Sequence, residues 1–79
     1  MKGVEKFIQE VKKDVWLRHR WKSKVTKGGY LIIEIPDKVE DTFEFEVMLQ
    51  MSLEDLSLSL DVHFFYEFDL KTVKVYALI

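Results

Sequence analysis

The 79-residue chain has no cysteine and no asparagine, only one proline and only three glycines. Without cysteine it can form neither a disulfide nor a thiolate metal site, and nothing indicates an oxidising compartment. The glycines are too few and too scattered for a nucleotide-binding loop. No apolar run reaches about 18 residues, and charges are spread through 1–15. We therefore expect no membrane span and no signal peptide, and we predict a cytoplasmic protein.

The length predicts a single domain covering 1–79, with a core so small that stability is marginal unless the chain associates. Only two glutamines are present, whereas lysine and glutamate are frequent. This bias is typical of proteins from hot environments and suggests a thermophilic source.

The net charge of −2 conceals an uneven distribution. Residues 1–29 contain nine Lys or Arg and three Asp or Glu, a balance of +6, whereas residues 30–79 contain three and eleven, a balance of −8. Such a division favours a polar partner or the attraction of one copy to another.

The first segment predicts an amphipathic helix over about 3–16. Apolar residues recur there at three- and four-residue steps with Lys, Glu and Gln between them: Val4, Phe7, Ile8, Val11 and Val15.

The following segment alternates with period two and predicts a hairpin with strands over 18–26 and 30–35. Lys27-Gly28-Gly29 forms its turn, because glycine reaches positive φ without strain. A three-residue loop pairs Val25 with Leu31 and keeps apolar residues on one face. A two-residue Gly-Gly loop would mix the two faces.

Alternation continues through the second half and predicts strands over 42–51, 56–68 and 73–79. The third strand would have Phe43, Phe45, Val47, Leu49 and Met51 facing inward. Ser52-Leu53-Glu54-Asp55 would be a loop, with a helical turn over 52–56 as the competing interpretation. The last hairpin would pair Tyr66 with Val75, Phe68 with Val73 and Glu67 with Lys74.

The predicted fold class is therefore α+β, an N-terminal amphipathic helix packed on a five-stranded antiparallel meander sheet. One short helix cannot cover the apolar face of such a sheet, and the outer face also carries Ile32, Met48, Phe65, Tyr76 and Leu78. Because monomers rarely expose so much apolar surface, we expect a homo-oligomer, most simply a dimer.

The basic and aromatic residues of the first hairpin predict a non-enzymatic module that contacts nucleic acid. Lysine and arginine neutralise phosphates, and tryptophan stacks on unpaired bases. The predicted nucleic-acid-binding residues are Trp16, Arg18, Arg20, Lys22, Lys24 and Lys27. A solvated edge strand protected by its lysines, with tryptophan in the core, is the structural alternative.

Two other function classes remain open. One is a protein–protein interaction or inhibitor module that uses an acidic sheet face or an edge strand. The other, by analogy of fold alone, is a small metal-independent ribonuclease. His63 lies near Glu44, Asp61 and Glu67 in the predicted register, but surface acids beside an exposed histidine explain this as well. We predict no catalytic residue, no metal site and no cofactor.

Overall fold

The computed structural model describes residues 2–78, and they form an α+β fold of two helices and one four-stranded antiparallel sheet. The elements in chain order are α1 (Lys2–His19), β1 (Ser23–Val25), β2 (Leu31–Glu34), α2 (Thr42–Leu60), β3 (His63–Phe68) and β4 (Thr72–Leu78). The sheet order is β1-β2-β4-β3. The α+β class is confirmed, but the five-stranded meander is wrong.

Helix α1 begins near the predicted position but extends beyond 16 to His19. Arg20 ends it with a left-handed backbone (φ 62°), and its N–H donates to the carbonyl of Trp16 at 3.0 Å. This bond satisfies a carbonyl that the helix itself leaves free. Arg18 is therefore helical and Arg20 lies in the connection, so the predicted strand over 18–26 shrinks to three residues.

The first hairpin keeps the predicted register, with Val25 opposite Leu31 and Ser23 opposite Ile33. Its loop is the three-residue form, closed by a 2.8 Å bond from the Thr26 N–H to the Tyr30 carbonyl. Gly29 has the positive φ, +86°, that this turn requires.

The segment predicted as the third strand, 42–51, is the first half of helix α2. The predicted loop over 52–55 lies inside that helix, and the predicted strand over 56–68 becomes the end of α2 followed by β3. The expected cross-strand position of His63 beside Glu44 therefore does not form. The competing interpretation, helix at 52–56, is the one the structure supports.

The alternation in residues 42–51 led to a wrong prediction of a strand because apolar residues occupy two opposite sides of α2. A helix turns about 100° per residue, so residues two apart point in nearly opposite directions and residues four apart share a side. Phe45 and Leu49 are buried, whereas Phe43, Val47 and Met51 are exposed. A pattern of period two thus describes one helix with an apolar stripe on its core side and another on its solvent side.

The last hairpin confirms its predicted pairs, with Tyr66 opposite Val75, Phe68 opposite Val73 and Glu67 opposite Lys74. Strand β4 runs Thr72–Leu78, and the predicted end of this strand at Ile79 lies outside the described residues. Strand β4 also pairs with β2, so β2 and β3 are parallel to each other with β4 between them.

Both helices cover one face of the sheet. The buried core joins α1, the two central strands and the inner side of α2: Phe7, Ile8, Val11, Val15, Trp21, Leu31, Ile33, Phe45, Leu49, Leu53, Val62, Val73 and Val75. Tyr66 fixes α2 over the edge strand β3, since its hydroxyl donates to Glu46 at 2.7 Å and accepts from Gln50 at 2.6 Å. Burial, together with the bond to Glu46, raises the pKa of Tyr66.

The start of α2 gives a test of this corrected secondary structure. The carboxylate of Asp41 accepts from the N–H groups of Phe43 at 3.0 Å and Glu44 at 3.4 Å. Asp41→Ala should lower the unfolding free energy by about 1 kcal/mol, the usual loss when a helix N-cap is removed. Glu40→Ala, which removes a neighbouring exposed charge, is the matched control. Equal urea midpoints for the two variants would show that Asp41 does not cap a helix.

Candidate nucleic-acid interface

An open groove of about 1060 Å³ runs between α1 and the β1 side of the sheet. Helix α1 contributes one wall, and β1 with its preceding residues contributes the other. Ile32, Glu34 and Thr72 of β2 and β4 also line the groove, and they alternate with residues that face the core. The lining residues are Gln9, Glu10, Lys12, Lys13, Trp16, Trp21, Lys22, Ser23, Lys24, Ile32, Glu34 and Thr72. Four lysines against two glutamates give this groove a local balance of +2.

Trp16 is the aromatic side chain best placed to meet a ligand in the groove. It follows the last buried position of α1, Val15, and its side chain is 47% exposed. The Arg20 guanidinium lies 5.4 Å from the Trp16 ring centroid, a cation–π distance. An indole held in this way by a cation is a suitable surface for stacking with an unpaired base.

Trp21, in contrast, is a structural residue. It is only 6% exposed, and its ring centroid lies 4.2 Å from that of Phe45 on α2. The backbone N–H of Trp21 donates to the Val15 carbonyl at 3.2 Å, and this bond fixes the chain as it leaves α1. Lys22 follows directly and lies exposed at the groove.

The structure brings three of the predicted binding residues to the groove and leaves three outside it. Trp16, Lys22 and Lys24 line it. Arg18 instead forms an ion pair with Asp14, Nε to Oδ1 3.1 Å, on the surface of α1. Lys27 is in the hairpin turn, and Arg20 takes part only through its contact with Trp16. The expected shared strand face of Arg18, Arg20, Lys22 and Lys24 does not exist.

Sequence reasoning missed Lys12 and Lys13. Both lie in α1 as exposed residues between buried ones, so they were counted only as the polar side of an amphipathic helix. The available signal was their spacing, because Lys12 and Lys13 lie four and three residues before Trp16 and so share its side of α1.

A second aromatic surface lies on the outer face of the sheet. The ring centroids of Tyr30 and Tyr76 are 4.8 Å apart, and those of Tyr76 and Phe65 are 4.5 Å apart. These rings pack against one another across the strands, so much of each ring face is already used within the sheet. Lys24, Lys74, Glu34 and Glu67 alternate with them, and the expected acidic sheet face is in fact mixed in sign.

The two histidines lie far apart. His19 ends α1, whereas His63 begins β3 next to Val62, which approaches Gly3 at the other end of α1. With 18 residues, α1 is about 27 Å long, so no histidine pair can act at one site. Among residues 2–78, no group of three or more His, Cys, Asp or Glu side chains could hold a metal ion.

No described helix has the length and apolar character needed to cross a membrane. Comparisons of the chain with protein-family models, with curated proteins and with solved structures gave no match. The groove and its side chains therefore carry the functional argument.

His19 gives a pH test of the geometry beside the groove. Its ring stacks on Trp21 with centroids 4.1 Å apart, and burial lowers its pKa below the ordinary 6.5, with Asp14 acting in the opposite direction. The unfolded chain then binds more protons than the folded protein just below pH 6.5. The stabilisation is present above this value and is lost as pH falls through the folded pKa.

We expect the NMR titration of His19, measured in a His63→Gln background, to have its midpoint below 6.5. The unfolding free energy should decrease as pH falls below 6.5 towards the lowered folded pKa of His19, and His19→Phe, which preserves an aromatic ring, should weaken this decrease. A midpoint above 6.5 would mean that His19 does not lie buried against Trp21.

Proposed function

We propose that this protein is a non-enzymatic module that binds single-stranded nucleic acid in the groove between α1 and β1. The observation that carries the proposal is the half-exposed Trp16 indole in a groove lined by four lysines. Lysines neutralise backbone phosphates, and the indole stacks on a base that duplex pairing would conceal. The net charge of −2 limits the affinity, and binding should be strongest at low salt because each lysine–phosphate contact releases counterions.

Lysines lie on both walls of the groove, which favours a strand that runs along it. Lys12 and Lys13 belong to the helical wall, whereas Lys22 and Lys24 belong to the opposite wall. A single strand can contact both walls because its phosphates and bases separate freely. A duplex, in contrast, keeps its base faces stacked inside the helix and offers none along its length to Trp16.

The first experiment is fluorescence anisotropy with a labelled oligothymidylate of about 12 nucleotides over about 50 to 200 mM salt. The double variant Lys22→Ser/Lys24→Ser should bind more weakly and reduce the salt slope by about 1.4, since each lost single-strand phosphate contact contributes about 0.7. Arg18→Ser/Lys27→Ser removes the same charge outside the groove and is the matched control.

The two double variants distinguish binding in the groove from diffuse electrostatic attraction over the whole surface. If the two double variants lose affinity equally, the attraction is diffuse and the groove is not the site. No binding by the unaltered protein at the lowest salt would end the nucleic-acid proposal.

Trp16→Ala tests the stacking part of the proposal. Loss of one base–aromatic stack should weaken binding by about tenfold or more without changing the salt slope. Trp16→Phe should restore part of the affinity. An unchanged affinity for Trp16→Ala would show that the indole does not contact the strand.

A protein–protein interaction module is the second candidate, favoured by the position of β3. This six-residue strand lies at the edge of the sheet, with β4 on one side. An exposed strand edge can accept a strand from another chain. Capture of an extended peptide by the protein, abolished by a proline at Phe65, would support this function over the first.

We also propose that the protein associates with itself. The earlier geometric reason, an apolar sheet face too wide for one helix, no longer applies, because α2 covers the rest of that face. Exposed apolar surface remains elsewhere, however, on the solvent side of α2: Phe43, Val47, Met51 and Leu58.

A further inference from the structure

The solvent side of α2 carries an apolar stripe, defined here as Phe43, Val47, Met51 and Leu58, with one exposed charged residue, Glu54, between Met51 and Leu58. Their exposed fractions are 71%, 37%, 62% and 84%. Steps of four, four and seven residues place all four within about 80° on the helix, opposite the buried Phe45 and Leu49. The stripe is thus a second apolar face of the helix and not a set of scattered side chains.

The stripe is large for a surface feature. Its ends are 15 residues apart, which is about 22 Å along the helix axis. On α1, Leu17 is 58% exposed, and the end of α1 lies near the start of α2, as the contact of Trp21 with Phe45 shows. A helix that is apolar on both sides is ordinarily buried on both sides, and contiguous patches of this kind mark interfaces.

Charge divides the outer surface of the two helices. Helix α2 carries Glu44, Glu46, Glu54 and Asp55 and no basic residue, a balance of −4. Helix α1 contains five Lys or Arg and three Asp or Glu, a balance of +2. Lys6 and Leu17 lie on the outer side of α1, eleven residues apart and both exposed. One half of this helical surface is thus acidic and apolar, and the other half has a small excess of basic residues and an exposed leucine.

Two-fold symmetry makes such a surface complementary to itself. In a two-fold dimer, surface patch i of one copy meets patch j of the other, and patch j of the first meets patch i of the second. If the helical layers of two copies face each other, each α2 can lie over the α1 of its partner. The stripe then meets Leu17, and the flanking carboxylates meet Lys6.

We propose that the occupant of the stripe is a second copy of this chain, bound with α2 of each copy against α1 of the other. This rests on the proposed self-association and names the surface and pairing that produce it. An anionic membrane surface fits poorly, because Glu44 and Asp55 flank the stripe and Glu54 lies within it, whereas a lipid-binding helix has lysine or arginine on its polar face.

The test is light scattering after size exclusion, with the dissociation constant from sedimentation. The unaltered protein should have twice the 9.5 kDa chain mass. Met51→Glu and Leu58→Glu should each weaken the dimer by about tenfold or more while circular dichroism stays unchanged, because both side chains are exposed in the single chain. Met51→Ser, which adds no charge, should weaken it less. Phe65→Glu, on the outer sheet face, is the matched control and should remain dimeric.

Charge reversal and salt test the pairing of α2 with α1. Lys6→Glu should weaken the dimer, Glu54→Lys should weaken it too, and the combination should recover part of the loss. The dissociation constant should rise with salt, because screening removes attraction between opposite charges. A dimer that tightens with salt would contradict this pairing and indicate contact between the two acidic α2 helices.

These measurements distinguish a dimer that uses a different interface from the absence of self-association. A monomer of the unaltered protein at all concentrations would end both proposals. A dimer that withstands Met51→Glu and Leu58→Glu but dissociates with Phe65→Glu would overturn the stripe and place the interface on the outer sheet face. Nucleic-acid binding by the groove does not enter these measurements.

Discussion

The contact between Trp21 and Phe45 is the interaction on which the arrangement of the helices and the groove depends. Trp21 is the residue through which the chain leaves α1, and Phe45 is in the first turns of α2. Burying the indole commits the preceding backbone to the left-handed turn at Arg20 and directs Lys22 outward. The same residue thus connects α1 to α2 and separates the groove from the interior.

The sheet order explains why a second helix is necessary. Strands β2 and β3 are parallel, so the chain cannot join them by a tight turn and needs a long crossover. Helix α2 makes this crossover and covers the part of the inner face that α1 leaves open. Strand β4 then enters between β2 and β3, which places Val73 and Val75 at the centre of the core.

Local pairings could be predicted from the sequence, whereas the crossover could not. Both hairpins have short loops, and one residue of slippage would move every apolar side chain to the wrong face, so their registers are strongly determined. The order of strands depends on contacts between distant segments, and a single alternating pattern carries no information about them. Only the number of residues between β2 and β3 in the sequence indicates that something longer than a tight turn joins them.

Helix α2 was misassigned because its alternation satisfied the rule for a strand, but capping signals were present. Asp41 followed by Glu44 is the spacing of an N-terminal cap with an acidic first turn. Four buried or half-buried leucines continue past the point where a strand of ordinary length would end: Leu49, Leu53, Leu56 and Leu60. In a segment this long, the length and the capping residues are stronger evidence for a helix than alternation is for a strand, because strands have about five or six residues on average.

The candidate site was predicted in part for a related reason. Lys22 and Lys24 were found because alternation does hold next to β1, and Trp16 was found because it lies close to them in sequence. Arg18 was misplaced because the extra turn of α1 carries it onto the helix surface beside Asp14. Lys12 and Lys13 come to the groove through the packing of α1 on the sheet, and composition alone does not report that packing.

The alternating apolar pattern that led to the wrong strand prediction also means that α2 has two apolar sides to bury. Folding of one chain buries the side with Phe45 and Leu49, and only association can bury the side with Phe43, Val47 and Met51. The groove lies on the β1 side of α1, whereas the stripe lies on α2. On α1, however, the proposed contacts Lys6 and Leu17 share one side of the helix with Glu10 and Lys13 of the groove wall. A two-fold dimer through the helical layer would therefore bring the partner's α2 close to the helical wall of each groove, so association and strand binding would use neighbouring parts of α1.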